Sequence, residues 1–223
     1  DFSGGKRVLV DELLTRRQTW AIALVFGGIG IAIGVSLVLV REPSLFWLGA
    51  IGVLMGWSYH GPPLQLAYRG WGEVDVALCY GPLIAMGTYT VLTQTYNLDV
   101  LWAALPLGLS IAAFLWVNEF PDYDADRSVY KNNLVVRLGR QRASRLLPMI
   151  YLVAGGILIT ACVREHLPVL ASLGLLAAIP AALACVWTLQ NPDTFYRTRP
   201  VQPLALLAFV LLAAGIATGT VLS

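Results

Sequence analysis

A chain of 223 residues that is 57% hydrophobic and only 13% charged, with a mean hydropathy of +0.70, is too apolar for a soluble domain, where about 25% of residues are charged. It reads as an integral membrane protein. The net charge of +2 makes no case for nucleic acid, and two histidines, His60 and His166, make none for a histidine-bound haem or metal centre. Cys79, Cys162 and Cys185 lie inside apolar runs without metal-ligand spacing and read as small core residues.

In chain order, a polar opening segment is followed by seven apolar stretches, at about 20–40, 44–59, 73–93, 99–119, 144–163, 167–190 and 200–222. A membrane-crossing helix needs roughly 20 such residues, so the second is short. Each is read as a helix, because in lipid every backbone polar group must be satisfied within the segment. Gly81-Pro82 predicts a kink in the third. Small residues such as those of "LAAGIATG" suit close helix packing in lipid. The expected fold is an all-α, polytopic membrane helix bundle forming one domain over 1–223.

Charge sets the orientation. Threading seven spans puts Lys6, Arg7, Arg16, Arg17, Arg69, Arg127, Lys131, Arg137, Arg140, Arg142, Arg145, Arg197 and Arg199 on one side, and only Arg41 and Arg164 on the other. The positive-inside rule makes the first side cytoplasmic, with loops at about 1–19, 60–72, 120–143 and 191–199. A membrane of the bacterial inner (cytoplasmic) type is expected, with the aspartate-rich loop inside the cell.

That loop holds "NEFPDYDADRSVYKNNLVVRLG" (118–139), a charged stretch between two long apolar runs. Pro121 is suited to open a helix, where its missing N–H costs nothing. In a helix, Asp122 and Asp126 are four apart and share a face, whereas Asp124 points elsewhere. Two carboxylates on one face suit a divalent cation, and oxygen ligands suit magnesium, which bridges to substrate phosphates. Arg127, Lys131 and Arg137 follow; cations beside a magnesium site suggest a ligand with several negative charges, such as a diphosphate. From spacing alone, a solvated loop obeying the charge rule is the better reading, because aspartate pairs four apart are common.

Two further loops argue against that plain reading. "YHGPPLQLAYRGWGEVDVALCYGPL" (59–83) carries Glu73 and Asp75 at the entry to a span. Acids there are costly and are functional candidates by default. "SGGKRVLVDELLTRRQ" (3–18) adds Gly4-Gly5 and Lys6-Arg7. Three charged, Gly/Pro-shaped loops on one side describe a polar site capping a helical bundle.

These three segments and their spacing resemble the UbiA superfamily of intramembrane prenyltransferases, and within it the branch that prenylates 1,4-dihydroxy-2-naphthoate for menaquinone. The 118–139 segment is similar to the family's second aspartate-rich motif, DxxxD, with its basic run. The resemblance implies a nine-helix bundle, so the seven spans leave two, with a first aspartate-rich motif, expected ahead of Asp1. It also implies a catalysed reaction in which magnesium ions bridge aspartates and the diphosphate of a polyprenyl donor, an allylic cation forms, and an aromatic acceptor attacks it.

Carried onto this chain, Asp122 and Asp126 become metal ligands and catalytic residues together with Lys131. Arg127 and Arg137 become phosphate contacts, Asn118 helps hold the metal or its water, and Lys6 or Arg7 reaches the diphosphate. Tyr59, Tyr68 and Arg69 meet the cation, acceptor or phosphate, and Glu73 and Asp75 serve acceptor binding or proton removal. Tyr130 stands where the family often has glycine, which puts the local backbone in question. Trp47, Trp102, Trp116 and Trp187 read as interface belt or packing. The expected partners are a polyprenyl diphosphate, an aromatic acceptor and membrane lipid, with no nucleic acid. The other readings are a non-catalytic subunit holding a lipid, quinone or pigment in a larger membrane complex, and a prenyltransferase of the chlorophyll-synthase kind. A transporter fits less well, since the acids gather at one edge rather than near mid-span.

Overall fold

The computed structural model describes residues 11–223, and among them the chain is helical with no strand. The helices are α1 (Arg16–Val40), α2 (Leu45–His60), α3 (Gly72–Thr93), α4 (Val100–Ser128), α5 (Leu134–Leu138), α6 (Arg140–Val163), α7 (Val169–Gln190), α8 (Phe195–Thr198) and α9 (Val201–Val221). Six of them are long and apolar enough to cross a membrane. The seventh expected span is α2, whose 16 residues rise only about 24 Å, short of a hydrocarbon layer of about 30 Å. The protein is an all-α polytopic membrane bundle.

Helix starts follow local chemistry. Thr15 caps α1 in a reciprocal box, its Oγ1 accepting from the Gln18 N–H (3.2 Å) while Gln18 Oε1 accepts from the Thr15 N–H (2.9 Å). No residue of α1 is buried among the described residues. Proline shapes α3: Pro82 has no N–H to give, and the helix widens into a π turn over Cys79–Leu83. The expected irregularity at Gly81-Pro82 takes this form. Helix α7 begins as a tighter 3-10 stretch, Val169–Ala177.

Glycines let backbones touch at two crossings. A Cβ on Gly108 of α4 would lie 2.2 Å from the Ala77 carbonyl oxygen of α3, and one on Gly81 would lie 2.6 Å from that of Ala104. A Cβ on Gly219 of α9 would lie just as close to the Leu170 carbonyl oxygen of α7, at 2.1 Å. Such approach is how helices gain van der Waals contact in lipid, where burial alone gives no drive.

The core has two parts. One surrounds the last turns of α4: Trp116, Val117 and Phe120 meet Val135, Leu147, Phe195 and Val201, with the Phe120 and Phe195 rings edge-on at 5.1 Å. The other joins α6, α7 and α9 through Leu158, Ala181, Leu212 and Ile216. The first cluster fixes the end of α4 that carries the acidic motif.

Candidate functional site

Helix α4 runs unbroken from Val100 to Ser128, so Pro121 lies inside it rather than opening a new one, and 120–128 is helix rather than loop. The correction has a simple cause. The Phe120 side chain is fully buried among α5, α6 and α8 residues, and that packing carries the helix through the proline. Asp122 and Asp126 therefore share one face of a rigid helix end, as the spacing requires. Asp124 lies off that face and pairs with Arg140 Nη2 at 2.8 Å.

The helix ends in a Schellman turn. The Lys131 N–H bonds the Asp126 carbonyl (2.9 Å) and the Tyr130 N–H bonds that of Arg127 (3.3 Å). This turn needs a left-handed residue, usually glycine, and Tyr130 supplies it at φ +57°. The backbone thus takes the shape a glycine would give, with the Tyr130 ring exposed. The reversal brings Lys131 back over the helix, its Nζ 2.9 Å from Asp126 Oδ2.

Asn133 holds the same oxygen. Buried at the start of α5, it donates from Nδ2 to Asp126 Oδ2 (2.9 Å) and accepts at Oδ1 from the Val136 N–H (2.8 Å). Sequence reading passed over this residue. Its signal is an N-cap asparagine directly before the apolar run LVV.

The central loop closes onto this motif at three points. The Asn132 N–H donates to the Tyr68 carbonyl (3.1 Å). The Leu134 N–H donates to Glu73 Oε1 (2.7 Å). The Arg137 stem lies against Gly70, where a Cβ would sit 2.9 Å from its Cδ, while Arg137 Nε donates to the Asn132 carbonyl (3.1 Å). Tyr59 covers Gly72 at the start of α3, in the same neighbourhood as Glu119, Glu73 and Asp75. Asn118 and Asp122 lie half-buried on α4, and Arg69 and Arg127 are exposed at the same end. Lys6 and Arg7 lie outside the described residues. Asp75 is buried on another face of α3 from Glu73; one turn on is Cys79, whose sulfur lies 4.0 Å from Met55 of α2.

Glu119 is the acid the sequence reading left unused. It is only 6% exposed and meets Glu73. Standing three residues before Asp122 at the end of an apolar run, it looks like the last residue of a span; only the continuation of α4 puts it on the acidic face. Between α3 and α4 is a cavity of about 310 Å³ with an apolar surface, lined by Ala77, Leu109, Trp116, Leu134 and Ile150 among others, to which Glu73 contributes only apolar atoms.

The donors at this end of α4 suit magnesium better than a metal held by a full protein cage. No group of three or more His, Cys, Asp or Glu side chains among the described residues forms a cage. Magnesium is commonly held by one or two carboxylates with water and phosphate oxygens completing the shell. Two aspartates on one face, flanked by Lys131 and the half-buried Asn118, fit that mode. Asp126 already bears Lys131, so a bound cation requires the ammonium to turn toward an anionic ligand.

The chain is 31% identical over 159 residues to the 1,4-dihydroxy-2-naphthoate octaprenyltransferase of Mycobacterium tuberculosis, covering 70% of this chain and 53% of that protein. It is 29% identical over 138 residues to the 2-carboxy-1,4-naphthoquinone phytyltransferase of Synechocystis sp., covering 60% and 45%. With the 1,4-dihydroxy-2-naphthoate octaprenyltransferase of Bacillus subtilis it shares 26% over 133 residues, covering 60% and 43%. The chain spans about half the length of the curated relatives it matches. No solved structure matches. The sequence model of one family covers residues 5–213, and on that match the chain belongs to the UbiA prenyltransferase family.

Proposed function

We propose that the protein containing this chain transfers a polyprenyl group from a polyprenyl diphosphate to an aromatic acceptor such as 1,4-dihydroxy-2-naphthoate, in quinone biosynthesis. The observation that carries the reading is the convergence of Asp122, Asp126, Lys131, Asn133 and Glu73 at one end of an apolar bundle, with an apolar cavity beside Glu73 and Leu134. Family membership and naphthoate prenyltransferases among its relatives support it. In this reading the polar end faces the cytoplasm, as the thirteen-to-two division of Lys and Arg argues.

Asp122 and Asp126 would hold magnesium, which when bound would supply positive charge to the departing diphosphate. Lys131 exchanges Asp126 for a phosphate oxygen, and Arg137 and Arg127 stand behind it. Asn133 keeps Asp126 in place during that exchange, because its own amide is fixed by the α5 cap. Lipid-facing walls and the dry cavity hold water from the allylic carbon, and Tyr59 and Tyr68 offer ring faces worth about 0.5–2 kcal/mol each to a nearby cation.

Membranes carrying the full-length protein test this directly. With a polyprenyl diphosphate, 1,4-dihydroxy-2-naphthoate and magnesium, they should form prenylated product, and chelation should stop it. Absence of transfer to any aromatic acceptor would instead favour a non-catalytic subunit.

A further inference from the structure

Pro121 leaves a weak point inside α4. It has no N–H to give to the Val117 carbonyl one turn back, and its ring crowds that carbonyl. Asn118 lies before the proline, and Asp122 and Asp126 lie beyond it. A kink at Pro121 therefore changes the spacing between them. Asp126 is five residues on, a rise of about 7.5 Å, and a kink of about 20° would carry it roughly 2.5 Å sideways. Magnesium demands ligands at about 2.0–2.1 Å in near-octahedral geometry, so ligands that wander this far hold it poorly.

Two contacts on one side of the turn oppose such a kink. Phe120 and Tyr123 are three apart, share a face and bracket Pro121 and Asp122. Phe120 meets Phe195 of α8 edge-on at 5.1 Å. Tyr123 lies under the Arg140 guanidinium, 4.4 Å from its ring centroid, and the same guanidinium lies over Tyr196 of α8 at 5.9 Å. Arg140 is the first residue of α6, and its side chain is only 14% exposed. Asp193, just ahead of α8, pairs with it at 3.9 Å and accepts from Gln141 Nε2 at 3.5 Å. Asp124 is the closer ion-pair partner but is 79% exposed, so water screens that pair and it adds little. The hold falls mainly to the aromatic faces, where a guanidinium gains most when withdrawn from water.

We propose that Arg140, acting through Tyr123, is a positioning residue for the metal site: it clamps the turn beyond Pro121 to α6 and α8 and so aims Asp122 and Asp126. The proposal rests on the prenyl-transfer reading with its magnesium ligands, and adds the residue that fixes their direction.

The test uses full-length protein in nanodiscs with two readouts. One is amide hydrogen exchange over 120–128 without metal. The other is binding of Mn2+, with inorganic pyrophosphate present, by electron paramagnetic resonance. Arg140→Met should speed exchange over 122–128 and weaken Mn2+ binding, each at least tenfold. Tyr123→Ala should do the same, whereas Tyr123→Phe, which keeps the ring, and Asp124→Ala should stay within about threefold of wild type. Pro121→Ala restores the missing N–H, so adding it to Arg140→Met should bring Mn2+ affinity back to within about threefold. Leu158→Ala, in the core cluster of α6, α7 and α9, controls for general destabilisation: it should lower the melting temperature and leave Mn2+ affinity unchanged. Mn2+ affinity that survives Arg140→Met, falls equally in Leu158→Ala, or is not recovered with Pro121→Ala would overturn the proposal. Should Arg140→Met not fold, equal Mn2+ affinity in Tyr123→Ala and Tyr123→Phe would overturn it as well. Mn2+ binding in the expected order, without prenyl transfer to any aromatic acceptor, would overturn the prenyl-transfer reading and leave the clamp standing.

Discussion

Substituting Gly108 by alanine places one methyl group at the tightest point of the α3–α4 crossing. The new Cβ would stand 2.2 Å from the Ala77 carbonyl oxygen, where ordinary contact begins near 3.4 Å. The neighbour is backbone and cannot swing aside, so α3 must move off α4 by roughly 1 Å; overpacking of this kind costs about 1–3 kcal/mol. Ala77 lies one turn from Glu73 on the same face, so the shift also draws Glu73 away from the Leu134 N–H it holds. A displacement of about 1 Å at a positioning group can cost on the order of 100-fold in rate. Thermal unfolding in detergent and prenyl transfer in membranes should both fall for Gly108→Ala. Gly87→Ala is the control, since it lies on the same α3 with nothing within 4 Å of its Cβ; it should leave transfer unchanged and raise stability, if at all, by up to about 1 kcal/mol. Equal behaviour of the two variants would show that the α3–α4 contact does not set the site.

Other outcomes follow from single contacts. Tyr130→Gly should keep activity and raise stability by up to about 1 kcal/mol, because the left-handed backbone costs a non-glycine residue about 1–2 kcal/mol and glycine's greater freedom when unfolded takes part of that back; a lower melting temperature would refute the strain argument. Arg140→Met should lower the melting temperature more than Asp124→Asn, since Arg140 joins Asp124 and Asp193 and lies over the Tyr123 ring at 4.4 Å, while Asp124 is a largely exposed partner worth about 0–1 kcal/mol. Lys131→Ala should raise the diphosphate KM at least tenfold with little change for the acceptor; the reverse split would move Lys131 out of the phosphate site. For orientation, a cysteine at Ser128 should resist labelling from outside intact cells and one at Ser223 should accept it, and the opposite pattern would invert the topology.

The helices were legible because lipid leaves the chain few choices. An apolar stretch of sufficient length must satisfy its own backbone, and boundaries such as Gly72–Thr93 and Val201–Val221 fall within a residue or two of where hydropathy changes. Asp122 and Asp126 were legible as a face because helical spacing is geometry. What sequence left hidden came from tertiary contact. Burial of Phe120 beside Phe195 carries α4 through Pro121, against the local preference for a new start. Asn133 and Glu119 matter through partners seven and forty-six positions away, Asp126 and Glu73, and neither carries a local signal of that pairing. Tyr130 shows the converse: its departure from glycine looked like a change of shape, but the Schellman hydrogen bonds and the Asn132 contact to its carbonyl impose the shape.

The central claim is that Asp122 and Asp126 together hold magnesium for a departing diphosphate. Its most direct test is magnesium-dependent prenyl transfer by membranes carrying the full-length protein, with Asp122→Ala, Asp126→Ala and Asp124→Ala compared at several magnesium concentrations. Losing a ligand to charge that grows as the bond breaks should cost the first two variants several kcal/mol of barrier, where each roughly 1.4 kcal/mol is tenfold in rate. Their rates should fall at least 100-fold, with the magnesium requirement raised, while Asp124→Ala stays within a few-fold of wild type. Similar, mild losses at all three positions would contradict the account and reduce the motif to a charged helix end.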